Sequence, residues 1–224
     1  RTLTGVLSVI AIAALVLVWT DRSRVLSYRL LGAVPLLGVA AQAIIGGVIV
    51  LLHLHPGWVS LHFVVSAALV SVSLLLLHRS GEGDGPPVPT VAPRPRLLAW
   101  ALYGLTAVVV VLGVIVTGAG PHSGDEEVGY RFAVDPALMS KVHAWAVWVF
   151  VAVLVVYLVS VRRGPQEVRR AAWILLAITL AQGAIGYVQY FTGLPALLVG
   201  LHMLGSALLV AGSTRVVLTT RTRA

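Results

Sequence analysis

Three of the seven histidines stand inside runs that otherwise suit hydrocarbon: His62 in "VSLHFVVSAALVSVS", His143 in "KVHAWAVWVF" and His202 in "LVGLHMLGSALLVAGS". An imidazole in such a setting costs free energy unless something binds it. His143 and His202 each fall a turn or so inside one end of their apolar run, at matching depth. Two imidazoles at one depth on two helices of a bundle can share a planar cofactor, one axial ring on each face. Haem iron is the metal such a pair suits. Below His202 come Ser206, Leu209 and Ser213 at steps of four, seven and eleven, and His62 repeats this with Ser66, Leu69 and Ser73. On the preceding apolar run Gln182, Gly186 and Gln189 form one stripe, where glycine lets a ring approach the backbone. Gln42 and Gly46 repeat its first two members.

The remaining histidines carry less. His53 and His55 sit in a short turn and read as solvated, and His78 reads as interfacial. His122, in a Gly-rich loop, is placed to reach a carboxylate or a propionate. A zinc site would need three or four clustered ligands, and the chain holds no HExxH or HxxxH. It has no cysteine, which removes disulfides, thiolate chemistry and iron–sulfur clusters. A Ser-His-Asp arrangement lacks an acid within any apolar run, since all eight carboxylates fall between them.

The elements that must position these rings are membrane helices. Of the 224 residues 58% are hydrophobic and 11% charged, against roughly a quarter charged in soluble domains. Seven runs approach the roughly 20 apolar residues a span needs, near 3–19, 31–52, 58–77, 97–117, 138–161, 171–191 and 195–214. They are continuous rather than alternating, which predicts helices and not a barrel. The pI near 10.8 does not mark a nucleic-acid binder, because the charge follows topology. Thirteen of sixteen basic residues fall in the segments 20–30, 78–96, 162–170 and the tail from 215, facing Asp125, Glu126, Glu127 and Asp135 on the opposite side. The positive-inside rule makes the basic side, and the C-terminus, cytoplasmic in a multi-pass cell-membrane protein.

The Pro- and Gly-rich stretch "SGEGDGPPVPTVAPRPR" predicts a flexible cytoplasmic linker over 80–96, between an N-terminal half (1–79) and a C-terminal half (97–224). A shift of 140 residues lays 42–73 on 182–213 with 13 of 32 positions identical and no gap. Apolar bias alone would not align Gln42 with Gln182, Gly46 with Gly186, His62 with His202, Ser66 with Ser206 and Ser73 with Ser213. The chain therefore reads as two same-orientation repeats, pseudo-symmetric four-helix bundles. The first bundle shows three spans, which predicts a helix upstream of Arg1. The counterpart of His143 would fall near Leu3 or just before Arg1. The opening run also has the form of a signal peptide with a poor "AIAA" cleavage site, but "WTDRSR" follows it as a cytoplasmic stop.

"VTGAGPHSGD", "KVHA", "QGAIGYVQYFTGLP" followed by "LVGLH", and "QAIIGGVIVL" with "VSLHF" together resemble the haem A synthase family in its actinobacterial form. The similarity covers almost the whole chain. It implies a bis-His haem b at His143 and His202 in the C-terminal half, and haem O bound near His62 in the N-terminal half. There a ring methyl is oxidised to the formyl group of haem A, with His62 in the catalytic site and Gln42, Gln182 and His122 beside the cofactors. It implies partners as well: a farnesyltransferase supplying haem O, terminal oxidases under assembly, an electron donor of unknown identity, and the bilayer itself. The family's catalytic Glu, first-half His and cysteine loop would precede Arg1, so this stretch is expected to hold the haem b site without a competent oxidation site. The alternative reading is a di-haem electron-transfer cytochrome linked to quinone. Such cytochromes usually stack their haems across the bilayer, whereas these three histidines share one depth.

Overall fold

The computed structural model describes residues 2–124 and 128–224, with side chains from residue 4 onward. Asp125, Glu126, Glu127, Arg1 and the side chain of Leu3 lie outside the described residues. The chain is helical almost throughout: α1 (Thr2–Thr20), α2 (Leu26–Leu31), α3 (Val34–Leu51), α4 (Pro56–Ser80), α5 (Pro93–Ala119), α6 (Pro136–Val161), α7 (Gln166–Phe191) and α8 (Ala196–Leu218). Two short strands, β1 (Val88–Pro89) and β2 (Arg221–Thr222), pair antiparallel. This is an all-α membrane protein. Among the described residues six helical segments are long and apolar enough to span, α2 and α3 counting together as Leu26–Leu51, and the apolar stretch described in α1 is Thr4–Thr20. Sequence predicts seven spans. The first of these is α1, which runs from Thr2 to Thr20 at the start of the chain.

Local chemistry sets the helix ends. Pro56 and Pro136 occupy first-turn positions, where a missing N–H costs nothing. The Asp135 carboxylate caps α6 by accepting from the amides of Ala137 (2.8 Å) and Leu138 (3.4 Å). The break between α2 and α3 at Gly32–Ala33 precedes Pro35, whose ring excludes the i→i−4 bond to Leu31.

The 140-residue shift maps helix boundaries as well as residues. Moved back by 140, α7 runs from 26 to 51, the span of α2 plus α3, and α8 begins at 56, the start of α4. The duplication seen in residue identities is thus a duplication of helical elements.

Two compact units result. Unit 1 comprises residues 1–86, 123–132 and 223–224; unit 2 comprises 87–122 and 133–222. In unit 1, α3 packs on α4 and on α1. In unit 2 the four helices close a ring: α5 on α6, α6 on α7, α7 on α8 and α8 on α5. Its core fully buries Leu102, Leu154, Leu175 and Val216.

The stretch 80–96 is anchored where composition predicts a flexible linker. In unit 1 the Asp84 carboxylate accepts from Arg24 (3.1 and 3.2 Å), Arg79 (3.0 Å) and the Val25 amide (2.8 Å). The Gly85 amide donates to the Ala224 carbonyl (2.9 Å). In unit 2, Thr90 donates through its amide to the Thr220 carbonyl (2.9 Å) and through its hydroxyl to the Thr219 carbonyl (2.7 Å). Residues from Pro93 onward already belong to α5. The Pro and Gly content suppresses helix, yet one carboxylate between two guanidiniums and a short strand pair fix the path.

Candidate haem site

In unit 2, His143 lies seven residues into α6 and His202 six residues into α8, so both sit about 10 Å from their helix starts. Because α6 and α8 are opposite members of the ring, their rings meet across its interior. The two imidazole centroids are 6.4 Å apart and inclined at 75°. Edge-to-face aromatic pairs occupy this range. These two imidazoles are the residues that would hold a haem iron, which would supply one-electron redox chemistry there. Nδ1 of both rings is buried without a hydrogen-bond partner. The Val109 carbonyl comes near the His143 ring without forming a well-shaped bond to Nδ1. An orphaned buried polar atom costs about 1–3 kcal/mol, so simple packing leaves this pair poorly satisfied. A metal-bound histidine usually presents its other ring nitrogen to a carbonyl, a part the Val109 carbonyl could take for His143. The residues fit a bis-His haem.

Each ring rests on a glycine of a neighbouring helix. A Cβ at Gly113 on α5 would come 3.2 Å from His143 Cε1, and one at Gly186 on α7 would come 3.3 Å from His202 Cε1. Both distances are tighter than ordinary contact, so the glycines set how far each imidazole can withdraw toward its wall. Seven residues further along the same two helices stand the buried Phe150 and Leu209, which continue the faces carrying the histidines. Gln182 lies against the backbone of buried Gly205, where any Cβ would overlap its side-chain amide. Gln189, one turn from Gly186, keeps a buried Oε1 without a partner.

Unit 1 repeats part of this. His62 lies six residues into α4, its Nδ1 is buried without a partner, and Gly46 of α3 faces its Cε1 at the looser distance of 3.7 Å. The Gln42 amide donates to the His62 carbonyl (2.8 Å) and to Ser66 Oγ, and Ser66 also donates to the His62 carbonyl (2.9 Å). Gln42 thus braces the backbone at His62 and does not touch the ring through these bonds. The second copy differs. Ser206 donates to the Met203 carbonyl (2.6 Å), and Ser213 shares a buried hydrogen bond of 2.6 Å with Thr106.

The other predicted residues divide. His122 reaches no carboxylate among the described residues; its Nε2–H donates to the Leu194 carbonyl (2.7 Å), tying the α5–α6 loop to the α7–α8 turn. His78 lies 3.4 Å from Glu82, an i,i+4 pair at the end of α4. His53 and His55 are exposed. Sequence reasoning missed Gly113, since a glycine in an apolar run carries no mark of the ring it faces. It also missed Gly205, which differs from the aligned Val65.

Among the described residues no group of three or more His, Cys, Asp or Glu converges. No family model, curated protein or solved structure matches the chain.

Proposed function

We propose that unit 2 holds haem b between His143 and His202, and that the protein works as a haem A synthase, oxidising a ring methyl of haem O bound at His62 in unit 1. The carrying observation is the 6.4 Å imidazole pair across the four-helix ring. The motif resemblance, "QGAIGYVQYFTGLP" above all, supports the reaction. All three histidines lie six or seven residues from their helix starts, which favours side-by-side haems over haems stacked across the bilayer. Bound haem supplies one-electron redox chemistry at its iron. The residues supply position: glycine walls limit ring withdrawal, and Gln42 with Ser66 fixes the backbone carrying His62. Converting a methyl to a formyl group with water as the oxygen source (R–CH3 + H2O → R–CHO + 4 H+ + 4 e−) releases four electrons and four protons, two of the protons coming from the water. The reaction therefore needs an electron acceptor and an oxygen source beyond these side chains. Haem O would come from a farnesyl-transferring enzyme and haem A would pass to terminal oxidases, with the basic loops and the C-terminus on the cytoplasmic side.

The purified protein should show a low-spin bis-imidazole haem spectrum. In cells carrying the gene at its own locus, His62→Ala should remove haem A from extracted pigments and leave that spectrum intact. Haem A persisting in the His62→Ala strain overturns the assignment of oxidation to unit 1. Only haem B in the wild-type pigments would instead support an electron-transfer cytochrome. A reporter fused after Ala224 should read cytoplasmic.

A further inference from the structure

The helix-to-helix turn before α4 and its counterpart before α8 share one backbone shape but not one chemistry. In unit 2 the left-handed residues are Gly193 (φ 78°) and Leu194 (φ 59°); in unit 1 they are His53 (φ 49°) and Leu54 (φ 55°). Glycine takes this conformation freely, whereas a side chain is strained there. The first copy places an imidazole at the position where the second has glycine. Around it lies a surface pocket lined by Leu51, Leu52, His53, His55, Trp58 and Tyr130. In the second copy the residues aligned with His55 and Trp58 are Pro195 and Leu198. Unit 2 thus lacks the His55 and Trp58 donors at these two positions, while Phe191 and Thr192 stand where unit 1 has Leu51 and Leu52.

The lining is rich in donors. His55 Nδ1 accepts from the Gly57 amide (3.2 Å), so in the neutral ring Nε2 carries the proton and donates. That tautomer opposes metal binding at Nε2 and favours an oxygen acceptor. Trp58 donates only, and the Tyr130 ring stands 5.4 Å from that of His55. Along α4, positions 55, 58 and 62 follow an i, i+3, i+7 pattern, one face of the helix. His55 is thus about 10 Å above His62 on the same face, comparable to the reach from the centre of a porphyrin to the carboxylates on its edge.

We propose that this pocket is the mouth of the unit 1 site, where His53 and His55 receive a carboxylate of the porphyrin whose iron lies at His62. The inference rests on the haem O assignment above. It gives unit 1 an entrance suited to an exchanging substrate.

The test titrates protein already holding haem in unit 2 with a second equivalent of haemin, and separately with haemin dimethyl ester, following the Soret difference spectrum. The free acid should bind at least about tenfold tighter than the diester. His53→Gly, which suits the left-handed backbone, and His55→Ser, which keeps a helix-capping oxygen, should each erode that preference and leave diester binding unchanged. Neither should lower the Tm, and His53→Gly should raise it. Equal affinity for acid and diester in the wild type, or a preference surviving both substitutions, overturns the inference while His62 ligation stands. A second equivalent whose spectrum ignores His62→Ala overturns the unit 1 haem assignment itself, and the mouth with it.

Discussion

Units 1 and 2 contain the same helical repeat, yet they pack differently. The spans of unit 2 bury 22–28% of their most apolar windows, whereas the two spans of unit 1 bury 6% and 11%. Four helices in a ring cover each other's inner faces; three rods leave more apolar surface uncovered within the chain. The same contrast reaches the histidines. His202 has an opposing ring and a tight glycine wall at 3.3 Å, while His62 has a looser wall at 3.7 Å and a Gln–Ser brace on its backbone. The two copies thus differ in what faces the imidazole. Duplication supplies the scaffold, and side chains at a few positions divide the work.

The largest expected effect breaks the comparison outright. His202→Ala, or His143→Ala, should abolish the low-spin haem spectrum, because one imidazole cannot make a bis-axial site; His62→Ala should leave it unchanged. A spectrum indifferent to His202→Ala removes the ligand assignment. Next comes Gly205→Ala, which forces Gln182 off the α8 backbone and should cost about 1–3 kcal/mol in unfolding measurements. The aligned Val65 shows that unit 1 accommodates a side chain there. The glycine walls give a graded comparison. Gly186→Ala should weaken haem retention severalfold in a haem-transfer assay, since His202 must give way by a few tenths of an ångström, and Gly46→Ala should have little effect at an ordinary contact distance.

The smallest effect concerns the anchor of unit 1. Hydrogen bonds from Arg24 and from the Val25 amide hold the Asp84 carboxyl below its ordinary value of 3.8, and the nearby charges of Arg24 and Arg79 add to this. A group whose folded pKa is depressed stabilises the fold above its unfolded pKa and loses that contribution as pH falls through the folded value. The Tm advantage of wild type over Asp84→Asn should therefore be constant above about pH 4 and shrink below it. A constant difference down to pH 2 would show that Asp84 contributes by packing alone.

Much of the site was legible before any coordinates. His143 and His202 stand out because an ionisable ring in an apolar run is conspicuous, and the 140-residue repeat marks Gln42, Gly46 and their partners. Gly113 was silent, because what matters there is the ring lying opposite, and no local pattern encodes that. The stretch 80–96 misled because its composition describes local propensity, while Asp84 is fixed by arginines 5 and 60 positions away. His122 bonds the Leu194 carbonyl of the α7–α8 turn, a partner distant in sequence that its own loop does not reveal.

Sequence alone determined that the chain is a bundle of membrane helices in duplicate, since hydrophobic run length and period are local properties that the solvent enforces. It also determined which histidines are out of place in hydrocarbon. The tertiary structure decided that α6 and α8 are opposite members of a ring, which brings two imidazoles within 6.4 Å. It also decided that the turns before α4 and α8 share one left-handed backbone shape although their residues differ. Those outcomes depend on which helix faces meet, and that is set by packing across sequence separations no local pattern can read.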